Sequence, residues 1–144
     1  MIISQQELQC EDLLWFGIDV NGVVFACTTG GCANVPHFVC DNRENLDTLE
    51  DFFVNKYEKI IENNVKIYDN TKGKLLEEFI QLSQKGIYCY DVCINNNQYY
   101  SIVTAPSKST VIADLPIDIV KILNKNNVHI NTKFDETFTI EHAY

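Results

Sequence analysis

Cys27, Cys32, His37 and Cys40 form the pattern C-x4-C-x4-H-x2-C. Thiolate sulfur and imidazole nitrogen together make a zinc donor set. Structural zinc sites ordinarily begin with two ligands on a tight knuckle about two to four residues apart. Here the first gap is no tighter than that, Cys27 falls on an inward strand position, and Pro36 stiffens the chain before His37. Separate roles as buried or surface side chains are therefore preferred. A zinc-stabilised module or metal-dependent enzyme using these four residues is the alternative. Cys89, Asp91 and Cys93 alternate along a strand and share one of its sides. C-x3-C on a strand is not the helix-start arrangement that lowers a thiol pKa. The expectation is a buried strand side on which Asp91 finds a backbone or hydroxyl partner. His37, His129 and His142 beside six cysteines formally permit a Cys–His pair, but no local signature surrounds any cysteine. Thr29-Gly30-Gly31 lacks the Lys-Ser/Thr of a phosphate loop and does not open directly into a helix. No catalytic residue, bound metal or cofactor is expected.

The remaining chemistry is charge. Residues 1–62 carry eleven carboxylates against Arg43, Lys56 and Lys59, whereas residues 63–144 carry nine carboxylates and eight lysines. A field this lopsided repels nucleic acid and anionic lipid and draws basic surfaces. The pairs Tyr88/Tyr90 and Tyr99/Tyr100 offer rings on which bases could stack, yet no basic stripe answers a phosphate backbone.

These groups need a scaffold. Residues 13–20 and 23–28 flank Asn21-Gly22, a strong hairpin signal. A two-residue loop pairs Ile18 with Phe25 and Phe16 with Cys27, which places Phe16, Ile18, Val20, Val23, Phe25 and Cys27 on one face. Asp41-Asn42-Arg43-Glu44 reads as a capping box with Asp41 at the N-cap. A helix near 42–62 follows, with Leu46, Leu49, Phe52, Phe53, Tyr57, Ile60 and Ile61 at helical period. Its outer face is nearly pure in sign, and Glu11, Asp12, Asp19 and Asp41 add to it from the adjoining hairpin and loop. A second helix runs from residues 69–71 to Gly86, a residue suited to the left-handed closing position. Residues 87–94 and 99–105 form a second hairpin, 117–124 a third helix, and 128–134 and 137–140 alternate like strand. The fold class expected is α+β: an antiparallel sheet of two hairpins plus C-terminal strand or strands, packed with two to three helices.

The length suits one globular domain over residues 1–144, and 46% apolar with 22% charged content is ordinary for such a domain. No apolar run approaches the roughly 18 residues of a membrane span, and the N-terminus lacks the basic and apolar regions of a signal peptide. A cytoplasmic protein with mainly buried, reduced thiols is the simplest expectation.

The run WFGIDVNGVVFACTTGG, then Val35-Pro36, the amphipathic helix, Gly86-Ile87-Tyr88-Cys89-Tyr90-Asp91, Ala105-Pro106-Ser107 and Leu115-Pro116 resemble small bacterial proteins encoded beside polymorphic toxins. Those are similar to immunity proteins, which bind and block one toxin. The likeness spans most of the chain, rests on turn, glycine, proline and aromatic positions, and brings no catalytic residue with it. It implies a non-catalytic inhibitor that binds one protein partner, and the acidic charge makes that partner basic and argues against nucleic acid and membrane. An acidic inhibitor would be steered quickly to a basic toxin and cover its substrate-binding surface. On that expectation Glu44, Asp47, Asp51, Glu58 and Glu62 make the contact, with Trp15 as aromatic anchor. A small-ligand slot beside Trp15, where Gly17 faces Ala26, is a third reading; relief of crowding is the default there.

Overall fold

The Asn21-Gly22 turn sets the first half of the molecule. In the computed structural model, which describes residues 1–31, 34–58, 62–93 and 99–140, a short helix α1 (Gln5–Cys10) precedes strands β1 (Leu14–Ile18) and β2 (Val24–Thr28). The hairpin loop holds three residues and not two. Gly22 N–H donates to Asp19 O, Asp19 N–H donates to Val23 O, and Gly22 has φ of 75°. This is a turn closed by a left-handed glycine, the usual three-residue solution. The pairing is therefore Ile18 with Val24, Gly17 with Phe25 and Trp15 with Cys27. A one-residue slip sends the partner strand's side chains to the other face. Phe16, Ile18, Val24 and Ala26 consequently share one face, and Trp15, Phe25 and Cys27 the other, so the single continuous face expected from sequence is divided between two. Both faces are buried.

Next come helices α2 (His37–Asp41) and α3 (Arg43–Asp51), then a π-helical turn at Phe52–Lys56. Asp41 ends α2, and Asn42 is the N-cap of α3, its side chain accepting from Asn45 N–H at 3.1 Å. The N-cap thus lies one residue beyond the expected Asp41, and Glu44 turns to the Met1 ammonium in place of the expected reach back to the cap. Tyr57 N–H donates to Phe52 O at 2.7 Å and Tyr57 itself is extended, so the helix stops at 56 and not near 62. Lys85 closes that end from outside, donating from Nζ to Phe53 O at 2.7 Å and Val54 O at 3.0 Å. A cation on the last carbonyls satisfies groups a helix leaves unpaired and complements its dipole.

β3 (Val65–Ile67), α4 (Lys74–Gln84), β4 (Tyr88–Val92), β5 (Tyr99–Pro106), a 3-10 turn at Ile112–Asp114, α5 (Ile117–Leu123) and β6 (Thr137–Thr139) complete the chain. The sheet order is β1-β2-β4-β5-β3, with β6 also on β5. β3 pairs with β5 at residues 104–106 and β6 at 99–101, so both lie along the same strand. β2 and β4 run parallel while every other pair is antiparallel. The sheet is α+β as expected, but it is mixed and curled and not purely antiparallel. The helices between β2 and β4 supply the long crossover that a parallel pair needs. Leu49, Phe53, Phe79, Leu82, Ile119 and Leu123 cover the face of Phe16 and Val24. The opposite face is closed by the N-terminal segment, Val39, Val128, Ile130, Phe138 and Ile140.

Candidate functional site

The acids assigned to partner contact are separated by the way α3 ends. Glu44, Asp47 and Asp51 lie on α3, whereas Glu58 and Glu62 follow the extended Tyr57 and do not continue that helical stripe. All five are exposed. Three of them have cationic neighbours. Glu44 pairs with the Met1 ammonium, which holds its carboxyl below the ordinary range. Asp47 lies 4.0 Å from Arg43. Asp51 accepts from Asn55 at 2.9 Å and from Lys56 at 3.0 Å, and both contacts hold its carboxyl down. Arg43 is a hub. It meets both oxygens of Glu11 at 2.8 Å and stands 3.7 Å from Glu7. Asp19, expected to add to the field, is buried and structural. Its Oδ1 accepts from Asn21 and Val23 N–H and its Oδ2 from the N–H and hydroxyl of Thr132. Trp15 is only 1% exposed, so it cannot serve as a surface anchor. Its indole N–H donates to Tyr100 Oη at 3.3 Å, and Phe25, Phe38 and Tyr100 meet it edge-on.

A cleft that the sequence reading did not find lies between the end of α3 and the length of α4, with a volume of about 350 Å³. Leu75, Glu78, Phe79, Leu82 and Lys85 recur at helical spacing and form one wall. Glu50 and Val54, one turn apart, form the other, and the start of β1 at Leu14 closes one side. The floor is apolar and the rim carries Asp12, Glu50 and Glu78. Among the described residues neither Glu50 nor Glu78 has a cation within 4.0 Å. Burial, then the negative charges of Asp47 and Glu78, push the Glu50 carboxyl above its ordinary range. Lys85, the one lysine of the cleft among the described residues, already directs its ammonium to the carbonyls of Phe53 and Val54. The signal for this cleft was available in sequence as the 75–78–79–82–85 stripe. What sequence lacked was the stop at residue 56, which leaves that stripe partly uncovered.

The cysteine constellation does not assemble among the described residues. Cys27 is fully buried, Cys40 is half-buried and His37 is exposed, while Cys32 lies outside the described residues. No group of three or more His, Cys, Asp or Glu side chains suited to a metal ion occurs among the described residues. Burial pushes the Cys27 thiol well up, with Cys89 and Asp91 adding to the effect. Burial likewise pushes Cys89 up to about 12. Cys27 and Cys89 belong to opposite faces of the sheet. Asp91 has the hydroxyl partner expected of it, accepting from Thr28 Oγ1 at 2.6 Å, and also a salt bridge to Lys72 at 3.0 Å that sequence did not foretell. A second cleft of about 350 Å³ borders Trp15, lined in part by His37, Asn45 and Lys125. Gly17 does not face Ala26 but pairs with Phe25, and a Cβ there would meet Phe25 at 2.9 Å and Asn126 O at 3.0 Å. Its smallness admits residues 126–130, which run beside β1.

Fold and cleft together define an α+β domain with an acidic-rimmed apolar groove on its helical side. No family model, curated protein or solved structure matches the chain. Among the described residues no helix is long and apolar enough to cross a membrane.

Proposed function

We propose that this is a non-catalytic acidic binding protein of the immunity type, which blocks a basic protein toxin by occlusion. The observation that carries the reading is the helical flank: exposed carboxylates on α3 and beyond it, next to a groove whose rim acids have, among the described residues, no cation within 4.0 Å. A negative field accelerates encounter with a basic surface, and an apolar groove supplies area to desolvate once contact is made. The resemblance of the chain's turn and aromatic positions to toxin-linked immunity proteins points the same way. Trp15 drops out of the contact because it is enclosed. Asp47, Asp51, Glu58, Glu62 and Glu44 remain as steering charges.

The test is functional. A basic protein captured from the source cell should form a stoichiometric complex with the chain and lose its own activity in that complex. Reversing charge at Asp51, Glu58 and Glu62 should slow association at least about tenfold at low salt and leave the melting temperature nearly unchanged. A captured protein that stays fully active in stoichiometric excess of the chain would sink the reading, as would turnover of any substrate by the chain alone.

A further inference from the structure

We infer that the groove between α3 and α4 is the docking slot for a basic amphipathic helix of the partner, its apolar side on Leu14, Val54 and Leu75 and its cations between Glu50 and Glu78. The inference rests on the occlusion reading above and names the element of the partner that is gripped. Three features of the groove select this occupant.

The first is the nature of the walls. Both are helical, so their backbone groups are already paired along the helix. An extended segment would find only the Leu14 end of edge strand β1 to pair with and would leave most of its own N–H and C=O groups without protein partners. A helix brings its backbone already satisfied. The second is shape. The α4 wall runs from Leu75 to Lys85, a rise of about 15 Å at helical pitch. That length matches about three turns of a partner helix, which presents anchors at i, i+3 or i+4, and i+7. Val54 is 43% exposed and Leu75 half-buried, so apolar surface is open to receive them.

The third feature is charge. Glu50 and Glu78 repel one another across the groove and, among the described residues, nothing positive lies within ion-pair distance. Lysine or arginine flanking the apolar stripe of an incoming helix would relieve that repulsion, and because docking would cover these exposed carboxylates the charge pair would count for more than on open surface. The groove thus asks for both properties on one element. Glu44, Asp47 and Asp51 act at longer range, because cations of the chain already sit beside them.

The probe is a synthetic peptide of about four helical turns, with leucine at i, i+3, i+4 and i+7 and lysine on both flanks, added to the full chain at about 0.15 M salt. Amide chemical shifts should move at residues of α3 and α4 that line the groove, and labelled-peptide anisotropy should give the affinity. Glu50→Lys with Glu78→Lys should weaken binding at least about tenfold, whereas Asp51→Lys with Glu58→Lys should change it less than about threefold. Val54→Ser should weaken it by about threefold or more. Glu50→Gln with Glu78→Gln, a milder pair, should weaken it in the same direction and guards against misfolding of the lysine variant. Shifts confined to another surface, or equal affinity for a peptide with serine in place of leucine, would overturn the proposal, as would a groove that takes spermine as tightly as the peptide. A natural basic partner still blocked by the Glu50→Lys, Glu78→Lys chain removes this slot and leaves occlusion standing. A peptide that docks as described, with no natural partner inhibited, removes occlusion and leaves the slot.

Discussion

Replacing Asp19 by alanine should be among the most damaging single changes to an acidic residue. The side chain is 3% exposed and accepts four hydrogen bonds: Asn21 and Val23 N–H on Oδ1, at 2.8 and 2.9 Å, and Thr132 N–H and hydroxyl on Oδ2, at 2.9 and 2.8 Å. Asn21 is exposed, so water replaces that contact at little cost. Thr132 is buried, and its two donors would be left unpaired at about 1–3 kcal/mol each. Relaxation of the freed donors towards other acceptors recovers part of the upper end of that sum, so with the loss at half-buried Val23 the total is about 3–5 kcal/mol. For a chain of this size that lowers the melting temperature by about 10–15 °C. Thermal unfolding by circular dichroism measures it. Asp19→Asn, which keeps one acceptor oxygen, should cost about half as much. A double-mutant cycle with Thr132→Val should return a coupling of about 1–2 kcal/mol. If Asp19→Ala melts within about 2 °C of the parent, the carboxylate is not the clasp between hairpin and C-terminal segment, and the hydrogen bonds drawn to it are wrong.

Gly17→Ala should destabilise by about 1–3 kcal/mol in urea titration, because its methyl would press on Phe25 and on the Asn126 carbonyl. Native-state alkylation at pH 8 followed by peptide mapping should leave Cys27 and Cys89 unlabelled until the chain unfolds, since burial raises both thiols far above that pH. Trp15, the only tryptophan, should emit at short wavelength and resist acrylamide quenching, and a solvent-like emission in the folded protein would contradict its burial. Glu50→Gln should be neutral or slightly stabilising at pH 7, within about 0.5 kcal/mol. A raised carboxyl pKa means the folded state holds its proton more tightly, so the parent gains stability as pH falls through that raised range. The advantage of the glutamine variant should therefore shrink towards acid, as melting curves at several pH values would record.

Much of the scaffold was legible because local signals dominate it. Asn21-Gly22 gave the hairpin, Gly86 at φ of 95° closed α4, and the strand-rich runs before and after the 94–98 segment became β4 and β5. The failures have a common physical source, which is that a long-range contact outranked a local preference. The three-residue loop wins over a two-residue one as Asp19 bonds both within the turn and to Thr132, 113 residues away. The helix expected to reach 62 stops at 56, where Tyr57 turns out to bond Thr110 and Lys85 takes the last carbonyls. The parallel pairing of β2 with β4 depends on where a distant strand inserts, which no periodicity reports.

The acidic flank shows the same division with a consequence for binding. Composition counts carboxylates alike, but the fold assigns them different tasks: Asp19 holds a turn, Glu7, Glu11 and Asp47 gather about Arg43, and Asp51 meets Lys56. Pairing of this kind weakens the field close to each acid yet leaves the excess negative charge of residues 1–62 unchanged at longer range. Attraction across about 8 Å or more of physiological salt is screened strongly, so steering depends on that excess and fades as salt rises. Adhesion after contact depends on groups that contact itself desolvates, and on the groove proposal those are Glu50 and Glu78, exposed in the free chain beside apolar surface. Under the occlusion proposal, substitutions on the exposed acids should therefore act on the association rate and lose their effect at high salt. Substitutions in the groove should act on dissociation and keep their effect there. Stopped-flow measurement of both rates across a salt series separates the two classes, and identical behaviour of Asp51 and Glu78 variants would mean that the distinction drawn from the structure has no energetic content.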